Sequence, residues 1–195
     1  MSPGPSQLPL GVGLRDDATF ANYLPGDNAS LVAHLMKQLD ESGESFLYLW
    51  GSEGVGCSHL LQAACHNADA RGKRALYLPL DMLGHFPPDI LEEPERLDLL
   101  AIDDLQLVVG RKRWEEALFH GFNRLRDAGK RLVIAADRSP RQLARRANPS
   151  SSPIPPAHQS TNSPKCKELS PGYLRCFAAH AGRSICPCSR VKGTP

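Results

Sequence analysis

Several things are missing from this chain, and each absence narrows its class. None of its 195 residues falls in a run of 18 consecutive apolar side chains, so no membrane-spanning helix is expected. The first thirty residues lack a basic start followed by an apolar core, and no secretory leader is expected. Net charge is small, at +2, and by itself points to no partner. There are no internal repeats. The six cysteines do not form metal-ligand knuckles. Cys166, Cys176, Cys186 and Cys188 follow one another at spacings of ten, ten and two, with His180 among them, in a segment without apolar patterning. Cys65 reads as a buried helix residue in a reducing compartment. What remains is a cytoplasmic chain whose 41% apolar and 23% charged residues are those of a globular protein. Its length suits one ordinary domain with a small appendage.

Composition divides the chain near Asn148. The 48 residues from there on hold eight Pro, eight Ser and four of the six Cys, with six basic residues against Glu168 alone, a charge of +5. Residues 1–147 carry 17 basic and 20 acidic residues, a charge of −3. The tail has no helical or alternating apolar period and is expected to be disordered.

The body is patterned. Phe46–Trp50 is a short apolar run that reads as a buried strand. Ser58–Gly72 reads as a helix with Leu60, Leu61, Ala64 and Ala68 on one face. Arg74–Leu78, Leu97–Ile102 and Arg131–Ala136 read as further strands. Lys112–Ala128 reads as an amphipathic helix carrying Trp114, Leu118, Phe122 and Leu125, stopped by Gly129. Pro25-Gly26-Asp27-Asn28 reads as a turn capping a helix from Ala29, and Pro140–Arg146 as the start of another. This alternation predicts an α/β fold with a parallel sheet and helices on both faces.

Between the first strand and its helix lies Gly51-Ser52-Glu53-Gly54-Val55-Gly56-Cys57-Ser58. The phosphate-loop pattern G-x-x-x-x-G-K-[ST] needs glycines so that backbone N–H groups can curl around phosphates, a helix N-terminus for its dipole, and a hydroxyl for Mg²⁺. Here Cys57 stands where the lysine belongs, and a thiol cannot supply that point charge. A strand-to-helix turn that binds nothing would use the same glycines. The third strand ends in Asp103-Asp104, on the sheet edge where parallel sheets bind ligands. Such a pair can hold Mg²⁺ through water (Asp103) and orient an attacking water (Asp104). Asp137 ends the fourth strand on the same edge, either as a γ-phosphate contact or as a solvated loop acid. His59 reads as packing the helix start rather than as an acid or base.

Together these segments resemble one family. Phe20-Ala21-Asn22-Tyr23-Leu24-Pro25-Gly26-Asp27-Asn28, Leu49 to Leu61, Ile102-Asp103-Asp104, Asn123-Arg124 and Asp137-Arg138-Ser139-Pro140-Arg141-Gln142-Leu143 are similar to the AAA+ domain of DnaA-type replication initiators, and most of all to its regulatory-inactivator branch, the Hda-like proteins. The resemblance runs from about Gln7 to Leu143. It implies a P-loop AAA+ sheet over residues 15–147. It also implies adenine nucleotide, ADP or ATP with Mg²⁺, bound by Gly51 to His59, with Tyr23, Gly26 and Asn28 walling the adenine and Asp137 as sensor 1. Ser58 and Asp103 would hold the metal. Residues 1–14 would be a clamp-binding peptide in which Gln7, Leu8 and Leu10 contact the DNA polymerase III sliding clamp, Pro9 keeping the segment extended.

The implied role is that of an adaptor without ATPase activity of its own. It would join the DNA-loaded clamp to the DnaA initiator and promote hydrolysis of initiator-bound ATP, touching DNA only through the clamp, with a homo-oligomer as a further expectation. An active ATPase and an inert remnant are the competing readings.

The resemblance stops where the tail begins. The fifth strand, the arginine finger and the helical lid of the AAA+ core are not recognisable after Arg146, a break like a change of reading frame, and nothing places Arg141, Arg145 or Arg146 as the finger. Without a fifth strand, Phe46–Trp50 is expected to be an open edge.

Overall fold

The computed structural model describes residues 13–40, 43–140 and 142–143, and the backbone of residues 165–168. Four strands run parallel: β1 (Phe46–Trp50), β2 (Ala75–Pro79), β3 (Leu99–Asp103) and β4 (Arg131–Ala136). Their order in the sheet is β2-β3-β4-β1, and β5 (Lys165–Glu168) follows beside β1.

Successive side chains of a strand point to opposite faces, so a sheet covered on both sides needs apolar residues at both parities, which is why these strands read as unbroken apolar runs. On one face Leu47, Leu49, Leu99, Ala101, Val133 and Ala135 pack against α1 (Ala29–Lys37) and α2 (Cys57–Ala70). On the other, Tyr48, Leu100, Ile102, Leu132 and Ile134 pack with Trp114, Phe122 and Leu125 of α4 (Lys112–Asp127) and with Leu80 and Leu83 of α3 (Leu80–Leu83). The long helices stop as expected. The Lys73 N–H returns to the Ala68 carbonyl at 2.9 Å and the Lys130 N–H to Leu125 at 2.8 Å, each just past a glycine.

Three details differ from the sequence reading. The edge of β1 is not open: β5 pairs with it antiparallel, with Leu47 opposite Glu168 and Trp50 opposite Lys165. Strand pairing uses main-chain groups, so a segment with no apolar period can still satisfy that edge. The third strand starts at Leu99 rather than Leu97. The 3₁₀ turn Pro94–Arg96 closes on Leu97, and the Asp98 carboxylate accepts the Arg74 N–H and the Lys130 ammonium, each at 2.9 Å. Asn28 precedes α1, but its side chain makes no capping bond; its N–H donates to the Pro25 carbonyl at 2.7 Å within a 3₁₀ turn. The helix expected from Pro140 is helical at its described residues, 140, 142 and 143, and Arg141 and the residues after Leu143 lie outside the described set. Among the described residues no helix is long and apolar enough to cross a membrane.

The register sets the functional edge. Trp50 lies opposite Ala136 and Ile102 opposite Ile134, so β1, β4 and β3 end side by side. The Gly51 N–H then donates to the Ala136 carbonyl at 3.3 Å, which brings the start of the glycine loop, Asp103 and Asp137 to one rim.

Candidate functional site

Residues 51–56 turn the chain from β1 into α2. Gly54 and Gly56 have φ of +84° and +92°, the left-handed region closed to most side chains. No atom lies within 4 Å of where a Cβ on Gly54 would stand, so that side of the loop is open. Gly56 caps α2, a helix of 14 residues with no acidic residue in its first turn. The first amides of such a helix have no intrahelical acceptor. An anion at this point meets N–H groups and a positive dipole end.

Tyr23 leans on the loop. A Cβ on Gly56 would come within 2.8 Å of the Tyr23 ring edge, and the Tyr23 hydroxyl lies 3.5 Å from the Val55 carbonyl. Burial, and then Cys57, raise the Tyr23 phenol above its ordinary value. Asn28 reaches the loop only through Tyr23, whose hydroxyl its side chain approaches. Gly26 supplies a positive φ, +47°, to the turn before α1. The His59 ring sits 5.6 Å from that of Tyr23, with its Nε2 against the Thr19 carbonyl at 2.8 Å, in the packing position expected of it.

Cys57 is half-buried beside the acidic pair. Burial first, then Asp103 and Asp104, push its thiol up to about 12, so it is neutral at physiological pH. The exposed Ser58 follows it on the first turn. Asp103 is 3% exposed at the end of β3. Its Oδ2 accepts the Tyr77 hydroxyl at 2.7 Å and its Oδ1 accepts the Asp104 N–H at 3.0 Å. Asp104 has φ +56°, the one non-glycine left-handed residue among those described. Burial raises its carboxyl above the usual range, a hydrogen bond from Gln106 opposes this, and Asp103, Asp81 and Asp137 add to the rise. The exposed Asp137 carboxylate is bound by both ends of the Arg138 guanidinium. The Tyr48 hydroxyl donates to the Arg138 carbonyl at 3.0 Å.

The fold thus brings Tyr23, the loop from Gly51 to Ser58, Asp103, Asp104 and Asp137 to one rim. Gln7, Leu8 and Leu10 lie outside the described residues, as do His180 and the side chains of the tail cysteines. Among the described residues no cluster of three or more His, Cys, Asp or Glu is arranged to hold a metal by itself. Sequence reasoning missed Tyr77, Gln106 and Arg138. Tyr77 carried a usable signal, being a hydroxyl-bearing residue in a buried strand next to the one that ends in acids.

The residues present suit a phosphate held by main-chain amides. They also suit a divalent ion carried by that phosphate, with the Ser58 hydroxyl and the Asp103 carboxylate as available oxygen donors. A glycine loop from the first strand of a parallel sheet into a helix, facing an acidic pair on a central strand, is the arrangement of a P-loop-type domain.

Comparison with known proteins takes this one step further. The family model described as the bacterial DnaA ATPase domain matches residues 87–150, a stretch that holds the acidic pair and Asp137 but not the glycine loop. A replication initiator DnaA bound to AMPPCP and single-stranded DNA is similar at 31% identity with a TM-score of 0.60, over 67% of this chain and 44% of that one. AMPPCP-bound DnaA from Aquifex aeolicus is similar at 33% identity with a TM-score of 0.56, over 67% of this chain and 45% of that one. Domain III of Thermotoga maritima DnaA shares the fold, with a TM-score of 0.59, 24% identity and coverage of 85% of this chain and 65% of that one. The body of the chain belongs to the DnaA-type AAA+ ATPase domain family and is related to proteins of replication initiation. It spans less than half the length of the first two DnaA chains.

Proposed function

We propose that this chain is an adenine-nucleotide-binding regulator of replication initiation of the Hda-like kind. One observation carries the reading: the glycine loop that starts α2, open at Gly54 and with Tyr23 against Gly56, sits beside a neutral Cys57 in place of a cation. Amides alone hold a diphosphate, while the missing ammonium weakens hold on a third phosphate. Ser58 and Asp103 would hold Mg²⁺ brought by the nucleotide, where the ion neutralises phosphate charge. Tyr23, with Gly26 and Asn28 behind it, would wall the adenine, and Asp137 would face the third phosphate.

In this reading Gln7, Leu8 and Leu10 tether the chain to the sliding clamp, and the adaptor promotes ATP hydrolysis by the DnaA initiator. Isothermal titration should give saturable ADP binding with negligible release of inorganic phosphate from ATP. The triple variant Gln7→Ala, Leu8→Ala, Leu10→Ala should lose clamp binding and keep ADP binding. Absence of ADP binding, or clamp binding unaffected by that variant, overturns the corresponding half of the proposal.

An active ATPase is the second reading. It rests on Asp104, a rim carboxylate that accepts a hydrogen bond from Gln106 and would orient a water. Steady phosphate release would establish it.

A separate surface supports contact with single-stranded nucleic acid. His85, Arg111, Lys112 and Arg113 line an open groove of about 370 Å³ with the exposed Phe86, pairing cations for phosphates with a ring for base stacking. Fluorescence anisotropy with a labelled oligothymidylate should show binding that weakens as salt rises and falls further in Arg113→Ala. Binding insensitive to both excludes this groove.

A further inference from the structure

Gln106 sits between two parts of the rim that the chain approaches from different strands. Its Nε2 donates to Asp104 Oδ1 at 2.8 Å, and its Oε1 accepts the Asp137 N–H at 3.1 Å. The two partners fix the orientation of the carboxamide, because only its nitrogen end donates and only its oxygen end accepts. The residue is half-buried in the 3₁₀ turn Leu105–Leu107, which follows the left-handed Asp104 and is closed by the Leu107 N–H on the Asp104 carbonyl at 3.0 Å. Asp104 therefore does not float at the end of β3: its main chain is held by that turn and its carboxylate by Gln106. At the other end the bond takes up the main-chain N–H just past the last residue of β4. The adjoining Asp137 carboxylate is bound by Arg138, and the Gln106 bond adds a side-chain link from this segment to the turn after β3, beyond the end of the β3–β4 ladder.

We propose that Gln106 is a positioning residue of the nucleotide site, a single carboxamide that ties Asp104 to the carboxyl end of β4 so that both respond to a bound nucleotide as one unit. This rests on the nucleotide-site reading above. A group that displaces Asp137 or Arg138 pulls on the Gln106 oxygen, and the same rigid amide transmits the movement to Asp104.

Two substitutions separate the halves of the link. Gln106→Leu removes donor and acceptor. Gln106→Glu keeps an acceptor for the Asp137 N–H but presents a second carboxylate to Asp104. Amide hydrogen exchange in nucleotide-free protein should show the Asp137 N–H protected in the parent and in Gln106→Glu, and exchanging at least about tenfold faster in Gln106→Leu, the loss expected when a net bond of roughly 1.4 kcal/mol is removed. The nucleotide arm uses ADP and AMPPCP as probes and reads backbone amide shifts. In the parent, replacing ADP by AMPPCP should move resonances at 137–138 and at 104–107 together; in both variants the movement at 104–107 should be lost while that at 137–138 persists. Equal Asp137 exchange in the parent and Gln106→Leu, or parent-like shifts at 104–107 in the variants, overturns the proposal. If neither nucleotide binds the parent, the nucleotide-site reading fails and the proposed role of Gln106 falls with it; exchange at Asp137 then still reports whether the bond itself exists.

Discussion

Cys57→Lys should bind ATP roughly ten- to a hundredfold more tightly than the parent, with a smaller gain for ADP. A hydrogen bond from a charged donor is worth about 1.5–3 kcal/mol, and each 1.4 kcal/mol is about tenfold in affinity. The environment favours the change. Cys57 stands against Asp103 and Asp104, whose charges, after burial, keep its thiol protonated. A lysine there meets two carboxylates that hold its ammonium charged before nucleotide arrives, and the ammonium then reaches the outer phosphates that the amides do not cover. Cys57→Ser, which stays neutral, is the control and should bind like the parent. Titration calorimetry with Mg²⁺ present reads the result. An unchanged ATP affinity in Cys57→Lys would mean that the outer phosphates do not lie beside residue 57.

Gly56→Ala should cost about 1–3 kcal/mol of stability from backbone strain and lower ADP affinity by at least roughly tenfold. Its φ of +92° is hostile to any Cβ, and the new methyl group would stand 2.8 Å from the Tyr23 ring edge. The ring can swing away, which relieves the clash at the cost of the wall it forms; the strain in the helix cap remains. Tyr23→Ala in the same chain should therefore restore part of the stability and none of the binding. Because the two residues touch, the double variant should lose less than the two single losses combined. Thermal melts and ADP titrations of the four proteins check this. Full additivity would show that Tyr23 and Gly56 act independently.

Much of the fold could be read from the chain because the central strands are runs of apolar residues closed by glycine or an acid. Phe46–Trp50 and Arg131–Ala136 are strands over those same residues. The third strand was misplaced by two residues because Leu97 and Asp98 look like its continuation, although the prolines before them make a 3₁₀ turn and the carboxylate of Asp98 is anchored sideways. The partner of β1 was not legible at all. Residues 165–168 have no pattern that marks a strand, and their pairing depends on main-chain groups that carry no sequence signature.

The site divides in the same way. The loop and the acids are contiguous motifs and were legible as such. Gln106, Tyr77 and Arg138 act through contacts between segments 26 or more residues apart, or through a neighbour's side chain, and polar residues of these types occur throughout any surface. The neutrality of Cys57 needed the fold as well: a thiol at a helix start could be acidic, and here burial beside two carboxylates makes it the reverse.

The central claim is that main-chain amides of the glycine loop hold a diphosphate without a cationic side chain. Backbone amide spectra of the ¹⁵N-labelled full chain, recorded while ADP is added, test it most directly. The account predicts saturable shifts concentrated on the amides of residues 52–58, the same in Cys57→Ser. Amides in that loop that stay still while ADP is added, or that move only when residue 57 is a lysine, would contradict it.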